Sequence, residues 1–288
     1  MRGDGDGWSL GPDGNRRWGR HGAAGLLLRC PQEPGVPAAF PGAPAVLLQH
    51  RAVWSHHGGT WGLPGGARDS HETPVQAALR EAAEEAGVRE QDVRVRATRT
   101  TATTEQGWSY TTVLADVAGV VALQPNRESA ELRWVAEGDV DALPLHPGFA
   151  HSWPVLRARP LRLLVDTANL LGARPDGWWR DRAGATERML VHVRAAIPRT
   201  VALPEGGYGW VSAVEAVVEG AARHVQVGGV LMHRANGSGD DELVRVAHGA
   251  HLVVTADRGL RARLPADVAV VGPSIVLRWL AETVERAT

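Results

Sequence analysis

Three glutamates stand within five positions in the stretch GGARDSHETPVQAALREAAEEAG, residues 65–87: Glu81, Glu84 and Glu85. Like charges at helical spacing repel, at a cost of about 0.2–0.5 kcal/mol per pair, so the crowding asks for a compensation. Gathered carboxylates offer only hard oxygen donors, which suit Mg²⁺ or Mn²⁺, and a bound cation turns their repulsion into coordination. Taken alone, such a run is also the common makeup of a solvated helix face. The preceding stretch GLPGGARDSHE tips the reading toward a metal site. A glycine-rich loop that runs into a helix brings backbone carbonyls and amides close to a metal or a phosphate chain.

The helix that carries these groups can be bounded from local chemistry. Thr73 is a good N-cap, Pro74 suits the first helical position, and Gln76 stands where the reciprocal member of a capping box belongs. Gly87 supplies the stop. Between them Val75, Leu79, Ala82 and Ala86 recur at helical spacing as one apolar face. The three carboxylates are expected to face outward together on the other side.

Gly66, five residues, Glu72, seven residues and then REAAEEAGV match every fixed position of the Nudix signature. Residues 20–155 therefore resemble the Nudix hydrolases. The resemblance implies an α/β/α sandwich with a mixed sheet and a Mg²⁺- or Mn²⁺-dependent hydrolase that cleaves the diphosphate linkage of a nucleoside diphosphate derivative. A nucleoside triphosphate pyrophosphohydrolase that cleanses the nucleotide pool is one such enzyme. It assigns the metal to Glu81, Glu84 and Glu85, with the Gly66 carbonyl as a further ligand, and gives Arg80 and Glu72 orienting roles. The general base is left open between Glu81 and a carboxylate outside the box, for which Glu128 and Glu131 in ESAELRW stand as candidates; the alternative for that pair is an exposed turn and strand end. A nucleotide-sensing or RNA-binding protein that does not turn its ligand over is the competing class, and the intact box speaks against it.

The box does not identify the substrate. Trp61, Trp108, Tyr110 and His146 are candidates for a base pocket, against the ordinary role of a buried aromatic as core. His56 and His57 are placed to contact phosphate. They lack partners at zinc-ligand spacing, so no zinc site is expected there.

The second half has another pattern. Short apolar runs end near Asp166, Glu219 and Asp257, with GGVLMHRA and helix-length segments between them, and Asp240 and Asp241 open a helix in GSGDDEL. This predicts βαβ units and a parallel sheet covered on both faces, in which the carboxyl ends of strands converge. Each acid is also explicable as a turn former or cap. VDTAN, GSGDDELV and VVTADRGL make residues 160–275 resemble the NYN branch of the PIN-like nucleases. That likeness implies a Rossmann-like domain and a Mg²⁺-dependent ribonuclease site on Asp166, Asn169, Asp241 and Asp257, with Asp240 and Glu219 possible additions, acting on single-stranded RNA. Thr167 stands where glycine is usual, and its side chain is expected to crowd the approach to the metal. A site that binds RNA without cutting it is the alternative. Trp178 and Trp179, amid Arg174, Arg180 and Arg182, either stack bases or pack a helix start.

At 288 residues, two units are expected, one α+β and one α/β: residues 1–158, opening with a loose arm over 1–19, and residues 159–288. The formal net charge of −1 excludes a global basic footprint, so any polyanion site is local. One cysteine, Cys30, and the absence of a basic start followed by an apolar run fit a cytoplasmic protein. No apolar run approaches the roughly 20 residues that span a bilayer. CPQEPGVPAAFPGAP reads as a long loop, and the last helix is placed from about Ser274.

Overall fold

The computed structural model describes residues 3–11, 14, 16–31, 42–174 and 177–284. Contacts divide the chain into two compact units, Met1–Ala158 and Arg159–Thr288. The long loop expected after Cys30 lies, over residues 32–41, outside the described residues.

Unit 1 opens with β1 (Trp8–Leu10) and β2 (Arg16–Trp18), paired antiparallel. The expected loose arm is thus a hairpin, and it is tied down. The Gly5 amide donates to Asp69 Oδ1 at 2.8 Å, and the Ser70 amide donates to Asp4 Oδ1 at 2.9 Å. Glycine and aspartate, which carry no apolar periodicity, hold the hairpin through polar bonds that a pattern search does not register.

β3 (Ala23–Pro31), β4 (Pro44–Arg51), β5 (Trp61–Gly62), β6 (Gly65–Ala67), α1 (Pro74–Ala86), β7 (Arg94–Thr103), β8 (Ser109–Asp116), β9 (Ser129–Ala136) and α2 (Pro147–Leu156) follow. The sheet order is β5-β4-β3-β8-β7, with β6 on β3 and β9 on β4. The β3–β8 pair is parallel and the others are antiparallel, so the sheet is mixed. Side chains alternate along β3. Ala24, Leu26, Leu28 and Cys30 pack with Ala77, Ala78, Leu79, Ala82 and Ala86 of α1. Arg29 points the other way and is fully buried, its guanidinium bonded to Glu137 at 2.9 and 3.0 Å and to the Leu156 carbonyl at 2.7 Å. β3 is therefore the floor on which α1 lies.

Unit 2 contains β10 (Ala158–Asp166), α3 (Thr167–Gly172), α4 (Arg182–Ala195), β11 (Arg199–Ala202), β12 (Tyr208–Val218), β13 (Val230–Arg234), α5 (Gly239–Val246), β14 (His251–Val254), α6 (Arg258–Arg263), β15 (Ala269–Val271) and α7 (Pro273–Val284). α7 begins at Pro273, beside the expected start near Ser274. The order is β11-β12-β10-β14-β15, with β13 on β12. β10–β14, β14–β15 and β12–β13 are parallel, whereas β11 pairs antiparallel with the first half of β12, an exception to the expected parallel sheet. Both faces are covered: Leu161, Leu163 and Val165 join a core with Leu190 and Trp279, while Leu164 joins Leu243 and Leu260. Among the described residues, no helix is long and apolar enough to cross a membrane.

Candidate active site

α1 forms with the caps its sequence specifies. Thr73 and Gln76 make the full capping box, and Gly87 closes the helix in the left-handed conformation at φ 70°. Leu79, Ala82 and Ala86 are buried, and Val75 packs at the edge of the same cluster. The three glutamates do not face outward together. Glu84 is exposed, Glu81 is half-buried, and Glu85 is buried at 4 % exposure, turned toward the β3–β6 side. The physical reason is the breadth of the covered face, since a helix laid across a sheet and a loop is enclosed over more than its apolar stripe.

Glu85 accepts a 2.8 Å hydrogen bond from the Gly65 amide. Burial raises its carboxyl to about 8, with the charge of Glu81 adding and the bonds from Gly65 and Gln49 opposing. Burial likewise raises Glu81 to about 7, against the pull of Arg80; the charges of Glu84 and Glu128 add to the rise. Carboxylates buried beside one another resist ionisation, and groups shifted in this way cluster at functional sites.

Arg80 is the hub. Its Nε and Nη2 donate to Glu72 Oε1 and Oε2 at 2.7 and 3.0 Å, Nη2 also donates to the Ala67 carbonyl at 2.9 Å, and Nη1 donates to Glu81 Oε1 at 2.9 Å. Glu84 Oε2 lies 3.7 Å from Nη1. The fork to Arg80 holds the Glu72 carboxyl below the usual carboxylate range, and the Asp69 amide supports it through a 3.0 Å bond. Gly66 lies beside this group, where a Cβ would come within 2.5 Å of Glu81 Oε1. Only glycine leaves that carboxylate its place. Gly65, Gln49 and the half-buried Tyr110, whose enclosed hydroxyl is pushed up by burial and by Glu85, also belong here. Tyr110 and Gly65 stood in quoted motifs; Gln49 had no signal, since a polar residue in a strand reads as an outward one.

The two outside carboxylates separate. The charge of Glu128 reaches both Glu81 and Glu85. Glu131 is bound to Arg133 at 2.6 Å, and Arg133 lies over Trp61 at 4.9 Å. Of the expected base-pocket residues, Trp108 lines a cavity whose walls do not include Trp61, Tyr110 or His146. Trp61 is buried and stacks on His50 at 4.8 Å; Trp108 lines a cavity of about 320 Å³ with Arg17, Arg20 and Arg68; His146 sits with His56 and His57.

A family model for the NUDIX domain matches residues 31–158. A Mycobacterium tuberculosis protein named "Putative 8-oxo-dGTP diphosphatase 3" is 51% identical over 164 residues, 56% of this chain and 72% of that protein. The chain belongs to the Nudix family. Its members are hydrolases that act on phosphoanhydride bonds, and the Nudix box of this chain is the Gly66–Val88 segment described above. A nucleoside triphosphate pyrophosphatase/Nudix hydrolase fusion protein of Bifidobacterium longum is 38% identical over 161 residues, 54% of this chain and 31% of its own length. A crystal structure of a Nudix hydrolase from M. smegmatis, RenU, is 61% identical, covers 52% of this chain and 91% of its own, and superposes with a TM-score of 0.48.

In unit 2 the acids divide. Asp166, at the end of β10, accepts from the Asn169 amide at 3.0 Å and from Thr255 Oγ1 at 3.0 Å. Burial raises its carboxyl, and the charges of Asp240 and Glu219 add to the rise. Glu219 accepts from the Gly239 amide at 2.7 Å and pairs with Arg182 at 3.3 Å. Asn169 accepts from the Ala256 amide. Asp257 caps α6 through the Leu260 amide, and Asp241 pairs with Arg263. Thr167 does not crowd the site as expected: it is buried, and its hydroxyl donates to the Val217 carbonyl at 2.6 Å inside the sheet. Trp178 packs against the core with Arg182 at 5.9 Å from its ring, whereas Trp179 is exposed.

Proposed function

We propose that unit 1 is a Mg²⁺-dependent nucleoside triphosphate pyrophosphohydrolase. The observation that carries this reading is the single guanidinium of Arg80, gripped by Glu72 and in turn gripping Glu81 beside the open backbone of Gly66. Glu81, Glu84 and Glu85, with the Gly66 carbonyl, would hold Mg²⁺ or Mn²⁺. The donor set fits: all oxygen, with two carboxyls that shed their protons more readily beside a cation. A bound Mg²⁺ supplies charge neutralisation on the diphosphate and a more acidic water.

The remaining work falls to this chain. Arg80 stays charged and keeps Glu81 in place, and Glu72 fixes the fork. The proton acceptor is either Glu81 or a carboxylate outside the box, for which Glu128, whose charge reaches the cluster, is the candidate. The 51% identical mycobacterial relative, by its name, makes oxidised purine nucleoside triphosphates the first substrates to test. A pyrophosphate-release screen over nucleotide derivatives with Mg²⁺ is expected to show turnover that Glu84→Gln abolishes. If wild type and variant both bind nucleotide without turnover, the sensing reading replaces this one.

For unit 2 we propose a PIN-like domain of the NYN type that acts on or binds single-stranded RNA. The convergence of Asp166, Asp240 and Glu219 at one end of a largely parallel sheet supports it. Asp166→Asn should abolish Mg²⁺-dependent RNA cleavage; a wild type that cuts no member of a broad RNA panel removes the nuclease claim. The domain assignment 1–158 and 159–288 and a cytoplasmic setting belong to the same proposal.

A further inference from the structure

Outside the box, three imidazoles from two distant stretches meet in unit 1. His56 and His57 lie in the loop after β4, and His146 is the cap of α2. One ligand nitrogen of each lies within 4.8 Å of the others, with ring centroids 4.0 Å apart for His56–His57 and 4.7 Å for His57–His146. The adjacent pair alone offered too few ligands for zinc; the fold brings the third.

The backbone that carries these rings is held in place, while the His56 and His57 side chains are exposed. The His146 amide donates to the Trp61 carbonyl at 2.7 Å, and its Nδ1 accepts from the Gly148 amide at 3.1 Å. Thr60 Oγ1 donates to the His57 carbonyl at 2.6 Å, Arg51 Nε donates to the His56 carbonyl at 3.1 Å, and Trp8 meets the His56 ring edge-on at 5.2 Å. Among the described residues, His57 is the one non-glycine with positive φ, at 55°. A non-glycine residue held there is a constraint of the kind found at ligand sites.

We propose that His56, His57 and His146 form a three-imidazole site for a divalent transition-metal cation of the zinc class, separate from the Nudix box and with its fourth position open to solvent or an anion. Nitrogen ligands without a carboxylate favour zinc over Mg²⁺. Zn–N bonds of about 2.0–2.1 Å set tetrahedral ligands ~3.4 Å apart, which modest ring rotations reach from the observed spacing. Capture of His146 releases the Gly148 amide, which is exposed in the first turn of α2 and can turn to water. The neighbouring Arg51 guanidinium opposes a bare dication, so it favours hydroxide or a phosphate oxygen in the fourth position. This goes beyond the proposed hydrolase activity and does not depend on it.

The test is zinc titration of the untagged full chain against a chromogenic chelator, with millimolar Mg²⁺ present to occupy the carboxylates. One Zn²⁺ per chain is expected, weakened by at least about 100-fold in His57→Ala and in His146→Ala and unchanged in Glu84→Gln. No stoichiometric zinc in the wild type, unchanged binding in both histidine variants, or loss in Glu84→Gln overturns the proposal. X-ray absorption of the wild-type zinc complex needs no variant. Scattering from three imidazoles is expected, and an all-oxygen shell overturns the site. Neither readout measures hydrolysis, so a missing hydrolase activity leaves the proposal standing on its own.

Discussion

The carboxylate of Glu85 and the amide of Gly65, twenty residues apart, are joined by a 2.8 Å hydrogen bond beneath the surface of unit 1. That bond ties the glycine loop to the last turn of α1. A loop that must approach a phosphate chain needs small residues, and small residues alone would leave it slack. Glu85 removes the slack, at the cost of a buried carboxylate whose affinity for protons is raised.

Arg80→Lys tests whether the guanidinium fork matters beyond its charge. Lysine keeps the charge and loses the two parallel bonds to Glu72 and the bond to the Ala67 carbonyl. We expect Mg²⁺ affinity or kcat to fall about 10- to 100-fold. The accompanying stability loss should be ~1 kcal/mol, since the arginine is partly solvated. Kinetics and denaturant melts side by side read the two effects; wild-type kinetics would dismiss the orienting role.

Gly66→Ala introduces a Cβ 2.5 Å from Glu81 Oε1. The end of a flexible side chain can rotate away, so the fold should survive with a stability change within about 1 kcal/mol. The displaced carboxylate should lower kcat by about 100-fold, as misplacement by roughly an ångström does. Activity assays beside a melting curve check this; full activity would show that Glu81 tolerates displacement.

The pH dependence of stability has a definite sign. Glu81 and Glu85 are raised from 4.5 to about 7 and about 8, so the folded state holds protons that the unfolded chain has released. Their contribution to stability is complete below about 4.5 and is lost as pH rises through about 7 and 8. Mg²⁺ favours the ionised carboxyls, so its stabilising effect should grow over the same window. Melting curves at about pH 5.5 and about pH 8.5, with and without Mg²⁺, read this directly. A Mg²⁺ effect that shrinks with pH would contradict the assignment of the cation to these carboxyls.

In unit 2, Asp257→Ala and Asp166→Asn should behave differently. Asp257 caps α6, so its removal is expected to cost about 1 kcal/mol. Asp166 is a half-buried carboxyl with a raised proton affinity, and an amide there can still accept from the Asn169 amide and donate to Thr255. Its replacement should leave stability within about 0.5 kcal/mol of wild type at neutral pH while removing any Mg²⁺-dependent RNA cleavage. Chemical denaturation of both variants, beside an RNA assay, separates cap from site.

Local rules carried far in α1, where Thr73, Pro74, Gln76 and Gly87 act within one turn and the box spacing places Arg80 near Glu72. The strand β10, whose apolar run ends at Asp166, was equally legible, because a buried strand writes a continuous apolar run. The hairpin β1–β2 was not, since it is held by single polar bonds such as Gly5 to Asp69. Thr167 was misjudged for a related reason: spacing places a residue beside a site, and only the backbone's turn decides that its hydroxyl faces Val217.

By itself the amino-acid sequence determined the helix, its caps, the family and the set of carboxylates, all of which depend on neighbours within a few residues or on fixed spacing. The tertiary structure alone decided which carboxylate is buried, that Glu128 and not Glu131 stands by the cluster, and that His146 joins His56 and His57. Those outcomes depend on burial and on contacts between stretches far apart in the chain. Burial sets proton affinity, and distant contacts set which groups share a site; neither is written in the spacing of residues along a strand or a helix.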